Sequence, residues 1–407
     1  MNPVALWRAE GAPLRRMLLF QLCSNLGAGV FALLFNLYLL ALGYREDVIG
    51  LAAGLNTLGQ GLAALAAGRL VVRLGAPRTM ALALACFTAA SAAQAVVTGR
   101  VAIALLALGV GAATSWLTIP VMPYLSEQIS REAHADAAAL TFAVQNLSVT
   151  AGTLLGGLLP AGLALAGLGL VSRDRLALLI GIGVGALGLL PLFGMAGGAG
   201  APHRARGTAV IGPELDGTPR RVRRTVWGYA GAAVLLSIGA GAFMPFVNVY
   251  LDRLGASQGA IGAILAATGA VGAALGLLAP AVARRFGSLR AAAVLRALPV
   301  PCALALAAVP ALGLVVATQA ARQVGANMAW AVEVNVLSER VPGRALASAF
   351  GLRLAAWNLS WAAISIISGQ LIVHGGYNTP LYILAGATAL GAGALWWALD
   401  GGKKSEV

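Results

Sequence analysis

The sequence predicts an all-α integral membrane protein with twelve transmembrane helices in two pseudo-symmetric six-helix bundles. Three observations carry this. The 407 residues are 59% hydrophobic and 10% charged, with a mean hydropathy of +0.84, outside the range of soluble globular chains. Apolar stretches long enough to cross about 30 Å of hydrocarbon follow one another closely. The chain also repeats itself 212 residues later: Gly27–Gly50 and Gly239–Gly262 share 11 of 24 positions, against a chance level of about two or three.

The spans are expected at about 17–42, 48–71, 78–98, 101–125, 137–166, 175–197, 225–253, 257–281, 289–309, 311–337, 345–373 and 379–399. Backbone groups in lipid must bond within their own segment, so each span is a helix. The strands of a β-barrel would be shorter and would alternate. The repeat runs on beyond the first pair of helices. Leu125-Ser126-Glu127 matches Leu337-Ser338-Glu339, Asn146-Leu147-Ser148 matches Asn358-Leu359-Ser360, and Gly157 matches Gly369. The organisation expected is a bundle over residues 1–197, a linker over 198–224 and a second bundle over 225–407. The linker ends on Arg220, Arg221, Arg223 and Arg224, a basic anchor for anionic lipid.

The net charge of +14 is distributed by side. The termini and the even-to-odd loops hold 20 Lys and Arg residues, and the opposite loops hold 5. The positive-inside rule then places both termini in the cytoplasm of a cell inner membrane. A basic surface for nucleic acid is excluded by that distribution. Cys23, Cys86 and Cys302 have neither ligand nor disulfide spacing and read as buried free thiols. His134, His203 and His374 fall in loops or at helix ends, and no phosphate-binding glycine loop carries a Lys. No catalytic constellation, metal site or cofactor is expected. The first apolar segment is full length and stays as helix 1.

The loop between helices 2 and 3 reads Gly68-Arg-Leu-Val-Val72-Arg73-Leu-Gly75-Ala-Pro-Arg78. Its copy reads Pro280-Ala-Val-Ala-Arg284-Arg285-Phe-Gly287-Ser-Leu-Arg290. With the twelve helices in repeated halves, this resembles the major facilitator superfamily, whose pattern here is Gly-x-x-x-Asp-x-x-Gly-Arg-Arg. The glycines and basic residues are present; Val72 and Arg284 replace the acid. Leu105 stands where proton-coupled members often carry Arg, four residues before Gly109-Val-Gly111. Helix 5 has Gly152-Thr-Leu-Leu-Gly156-Gly157 and then Pro160, not the Gly-Pro motif of drug–proton antiporters. The resemblance implies that helices 1, 4, 7 and 10 line a cavity, that 2, 5, 8 and 11 join the halves, and that 3, 6, 9 and 12 face lipid.

The polar residues are weighed within that layout. Helix 1 carries Asn25 and Asn36 on one face, three turns apart, and helix 7 carries Ser237 and Asn248 at the same places. Gly29 and Gly241 between them leave room for a ligand or for a close helix. Asn25 and Ser237 are candidate solute ligands or interhelical bonds. Asn36 and Asn248 are expected to serve structure or an outer gate. Helix 10 is the most polar, with Gln319, Arg322, Gln323, Asn327, Trp330 and Glu333. Arg322 lies about 16 Å from the outer end of its helix, near the midplane, and suits a carboxylate, phosphate or sulfate. Its competing role is a structural post.

Glu333 on helix 10 is expected to pair with Arg353 of helix 11, or to carry a proton as coupling ion. Gln145, Trp357, Asn358 and Trp361 extend the candidate substrate set, the tryptophans by stacking on planar or lipophilic groups. Arg73, Glu127, Arg285 and Glu339 are candidate gate charges at the cytoplasmic face. The function expected is secondary active transport of a small amphipathic anionic or zwitterionic organic solute by alternating access, between the halves. The resemblance favours export. Multidrug efflux of lipophilic cations and a non-transporting receptor or scaffold remain alternatives. The partners expected are the solute and membrane lipid, and the state a monomer.

Overall fold

A computed structural model of the chain describes residues 10–165, 167–196, 219–341 and 343–400. These residues form helices and turns, with no strand among them. We number the membrane helices in chain order. The first half contains α1 (Gly11–Ala41), α2 (Glu46–Leu74), α3 (Ala76–Val96), α4 (Arg100–Gln128), α5 (His134–Ala164) and α6 (Leu170–Met195). The second contains α7 (Arg220–Arg253), α8 (Gln258–Gly276), α9 (Ser288–Ala308), α10 (Leu312–Arg340), α11 (Gly343–Gly375) and α12 (Asn378–Asp400). A short helix, Ala279–Phe286, joins α8 to α9.

Eleven of the twelve have a stretch apolar enough to span a membrane. The exception is α10, 29 residues long, whose polar stripe lowers its hydropathy. One boundary differs from expectation: α7 begins at Arg220, so the four arginines assigned to the linker form its first turns. The rest of that linker, 198–218, lies outside the described residues.

Prolines set the breaks. A proline supplies no N–H and clashes with the carbonyl one turn back. Pro120 interrupts α4 after Thr118, Pro299 divides α9, and Pro245 turns Met244–Phe246 of α7 into a 3-10 segment. The equivalent of Pro245 in the first half is Leu33, and α1 runs unbroken. The repeat also shows in the backbone. Gly43 and Gly255, 212 positions apart, both take positive φ (86° and 83°), as do Gly75 and Gly287 (both 82°). An L side chain rarely adopts that region, so glycine is retained in both copies.

The chain divides into two compact units. Unit 1 comprises Met1–Tyr44, Leu55–Ala209 and Ser257–Ala266; unit 2 comprises Arg45–Gly54, Val210–Ala256 and Ala267–Val407. The tip of α2 thus belongs to unit 2 and the tip of α8 to unit 1. The core of unit 1 packs Leu14, Met17 and Phe20 of α1 on Met80 and Leu84 of α3, Tyr124 of α4 and Leu192 of α6. Unit 2 repeats this with Val226 and Tyr229 of α7, Ala292 of α9, Met328 and Val332 of α10, and Leu395 of α12.

Candidate functional site

Helix α10 presents Gln319, Arg322, Gln323, Trp330 and Glu333 at spacings of 3, 1, 7 and 3 residues, which puts them on one broad face. Arg322 donates from Nε to Gln319 Oε1 (3.2 Å) and from Nη2 to Gln323 Oε1 (3.0 Å). Among the described residues it has no acidic partner. Asn327 is exposed, and its amide lies near Gly272 of α8.

Glu333 is fully buried and holds three groups of unit 2. Arg296 Nε donates to its Oε1 at 2.6 Å. The Tyr229 hydroxyl donates to Oε2 at 3.3 Å. Arg353 Nη2 lies 3.8 Å from Oε2. The pair expected with Arg353 therefore exists, yet the shorter bond goes to Arg296. The lipid-facing assignment of α9 does not hold at that residue: Arg296 is 9% exposed and turned inward. A buried guanidinium demands an acceptor, and Glu333 supplies it.

Arg353 sits among aromatic rings. Its guanidinium carbon lies 4.2 Å from the Trp330 ring centre, 5.5 Å from Tyr229 and 5.6 Å from Trp357. Trp357 stacks on Trp361 (5.9 Å, 27°), and Phe350 meets Trp330 edge-on. Trp330 is 41% exposed, so this box has an open side. Asn358 lies half-buried on the next position of α11.

Other candidates fall elsewhere. Ser237 is fully buried and donates to the Trp357 carbonyl (2.7 Å), which ties α7 to α11. Asn25 lines a cavity of about 90 Å³ in unit 1, with Phe20, Gln21, Phe87, Thr114 and Thr118. Its amide donates to the Gln21 backbone and side chain (2.9 and 3.0 Å). Gly29 serves a close helix: a Cβ there meets backbone of α5 around Gly152. At Gly241 a Cβ meets Ile364 and Trp361 of α11. Gln145 is half-buried on α5. Asn36 is partly buried; Asn248 is buried and accepts from Val249 N at 3.0 Å, beside the break in α7. Arg73, Glu127, Arg285 and Glu339 are exposed, and no ion pair joins Arg73 to Glu127 or Arg285 to Glu339 in this structure. Cys86 is exposed on α3 rather than buried. No group of three metal-ligating side chains gathers among the described residues.

Two further clusters escaped the sequence reading. Glu46 at the tip of α2 is buried and receives Arg253 Nη2 (3.1 Å) and the Tyr377 hydroxyl (3.0 Å). Burial and the Glu46 charge push the Tyr377 hydroxyl well above its ordinary pKa, so it stays a donor. Gln258 at the tip of α8 stands at the repeat-equivalent position. Its amide donates to Asp174 Oδ2 (3.0 Å) and accepts from Arg173 Nη2 (3.4 Å). Asp174 is fully buried. The 212-residue offset placed Glu46 opposite Gln258 and was the signal available. Glu46→Ala is expected to cost about 2 kcal/mol, read as a lower melting temperature. Tyr377→Phe, which removes one bond, should cost about half that.

The sequence profile of the Major Facilitator Superfamily matches residues 17–321 and again 231–407. The chain belongs to this superfamily. No curated protein matches the sequence. Solved structures show the same fold at low identity. A point variant of the nucleoside transporter NupG is 16% identical with a TM-score of 0.76, covering 95% of this chain and 100% of its own. A bacterial homolog of the human lysosomal transporter Spinster, inward-facing and unoccupied, is 15% identical with a TM-score of 0.69, covering 98% of both chains. A D-xylose–proton symporter is 16% identical with a TM-score of 0.68, covering 95% of this chain and 96% of its own.

Proposed function

We propose that this facilitator is a secondary active transporter of a small amphipathic anionic or zwitterionic organic solute, working by alternating access. One observation supports the charge assignment. Of 28 basic residues, the sequence places three more than a helical turn inside the ends of their spans: Arg296, Arg322 and Arg353. All three lie in unit 2. Among the described residues Glu333 is the single carboxylate that pairs with any of them. The surplus of positive charge in a poorly solvated region favours an anion and opposes a cation. Among the described residues Arg322 is anchored by neutral amides alone, which leaves its charge for a solute. The aromatic rings beside Arg353 suit a planar or apolar part. The structural neighbours, described as transporters of a nucleoside or of D-xylose with protons, are in keeping with a small organic solute.

The location proposed is the cell inner membrane with both termini cytoplasmic, in keeping with the arginine asymmetry. The bundles proposed are 1–197 and 225–407, with 198–224 as tether. Protons are the coupling ion proposed, and a pH-jump flux assay in liposomes tests that. The substrate class is tested by a thermal-shift screen of anionic, zwitterionic and cationic compounds, with Arg322→Ala alongside. A ligand that binds only the folded protein raises its melting temperature. Stabilisation by anions that vanishes in Arg322→Ala is expected. Stabilisation by lipophilic cations, unchanged in that variant, would instead establish multidrug efflux. A receptor or scaffold would show neither and would keep its function without Arg322, Gln323 and Asn327.

A further inference from the structure

Glu333 serves its two arginines unequally. The 2.6 Å contact to Arg296 is a charge-assisted hydrogen bond, while Arg353 at 3.8 Å is held by charge without a bond of ordinary length. Arg353 is also set among the π faces of Trp330, Trp357 and Tyr229. Aromatic faces balance a guanidinium's charge but accept few of its five N–H donors. Its side chain is 11% exposed, and the ring against which it packs most closely is open to its surroundings. A planar fork with unspent donors beside an open indole is a carboxylate receptor. The Trp357–Trp361 stack continues the flat surface along α11.

We propose that Arg353, in the box of Trp330, Trp357 and Tyr229, binds the carboxylate of an aromatic acid, and that Glu333 is its stand-in when no solute is bound. This rests on the anionic reading above and names the solute class. The arriving carboxylate takes the N–H donors of Arg353, and its ring lies on the indoles. Glu333 keeps Arg296 and gives up only its long contact. Binding adds one negative charge to a cluster in which Glu333 faces two arginines, so the solute carboxylate neutralises the positive charge that Glu333 leaves over. The internal carboxylate is therefore a competitor, and removing it strengthens solute binding. That outcome is the reverse of what a purely structural ion pair would show.

The experiment measures benzoate, acetate, benzyl alcohol and benzylamine by melting temperature and by tryptophan fluorescence on the purified full chain. Benzoate is expected to bind more tightly than acetate, and the two neutral or cationic analogues to fail. Glu333→Gln should raise benzoate affinity about tenfold, the effect of losing a competing charge worth about 1.4 kcal/mol. Arg353→Lys should lower it at least tenfold, and Trp330→Ala should abolish the preference for benzoate over acetate. If Glu333→Gln does not fold, the double variant Arg296→Leu/Glu333→Leu removes the competitor without stranding Arg296, and the same gain is expected. Unchanged or weaker benzoate binding in whichever variant folds overturns the proposal. Anion binding lost in Arg322→Ala but indifferent to Arg353→Lys and Trp330→Ala overturns the box and leaves the anionic reading standing. Failure of every anion on the unmodified protein overturns both.

Discussion

Replacing Arg296 by Leu should destabilise the protein by about 3–5 kcal/mol, the range for breaking a buried ion pair by removing one partner. Glu333 is then left fully buried with only the long contact to Arg353 and one hydroxyl bond. The cost comes from stranding a charge rather than from losing the pair's net stabilisation. The double variant Arg296→Leu/Glu333→Leu should therefore recover most of the loss, because two apolar side chains replace two satisfied ions. Melting temperatures of the wild type, both single variants and the double complete the cycle. Additive losses would show that Arg296 and Glu333 act independently, contrary to the 2.6 Å contact.

The second large effect is expected at Gly157 and Gly369. These are equivalent residues of the repeat, and each lies against the tip of a helix from the other half of the sequence. A Cβ on Gly157 would stand 2.6 Å from the Gln258 carbonyl oxygen and 3.0 Å from the Gly262 Cα. A Cβ on Gly369 would stand 2.5 Å from the Glu46 carbonyl oxygen and 3.2 Å from the Gly50 Cα. The obstacle is backbone in both cases, so no rotamer change relieves it. Gly157→Ala and Gly369→Ala should each cost about 1–3 kcal/mol as overpacking, and solute flux in liposomes should fall with them. Gly386→Ala on α12, where a Cβ meets nothing within 4 Å, should stabilise by about 0.5–1 kcal/mol through helix propensity. Equal behaviour of all three would show that close approach is not what keeps glycine at 157 and 369.

The helices were legible because the bilayer fixes their length and hydropathy marks it. α3 is expected at 78–98 and found at Ala76–Val96, and α12 is expected at 379–399 and found at Asn378–Asp400. The break in α7 was not anticipated, the span being expected unbroken over 225–253; Pro245 was the signal available. The direction of Arg296 was not legible. An α-helix that is apolar nearly all round carries no stripe to say which face turns inward. The demand of a buried arginine for a carboxylate was the remaining signal, and Glu333 was the nearest answer in the sequence. The contacts of Glu46 and Asp174 depend on loops and tips whose geometry no periodicity encodes. Ser237 was visible as a polar residue, but its bond to the Trp357 carbonyl needed the packing of α7 on α11.

The two copies of the repeat differ in stiffness. α1 is an unbroken rod of 31 residues, while its copy α7 passes through a 3-10 turn at Met244–Phe246 before resuming at Val247. Bending a continuous hydrogen-bonded ladder strains every turn, whereas a ladder already missing a rung yields at one place. Elastic deformation of the second copy will thus concentrate beside Pro245, a few residues below Arg253 and its tether to Glu46. A duplicated blueprint has become a mechanically uneven pair: one copy serves as the beam and the other carries the joint.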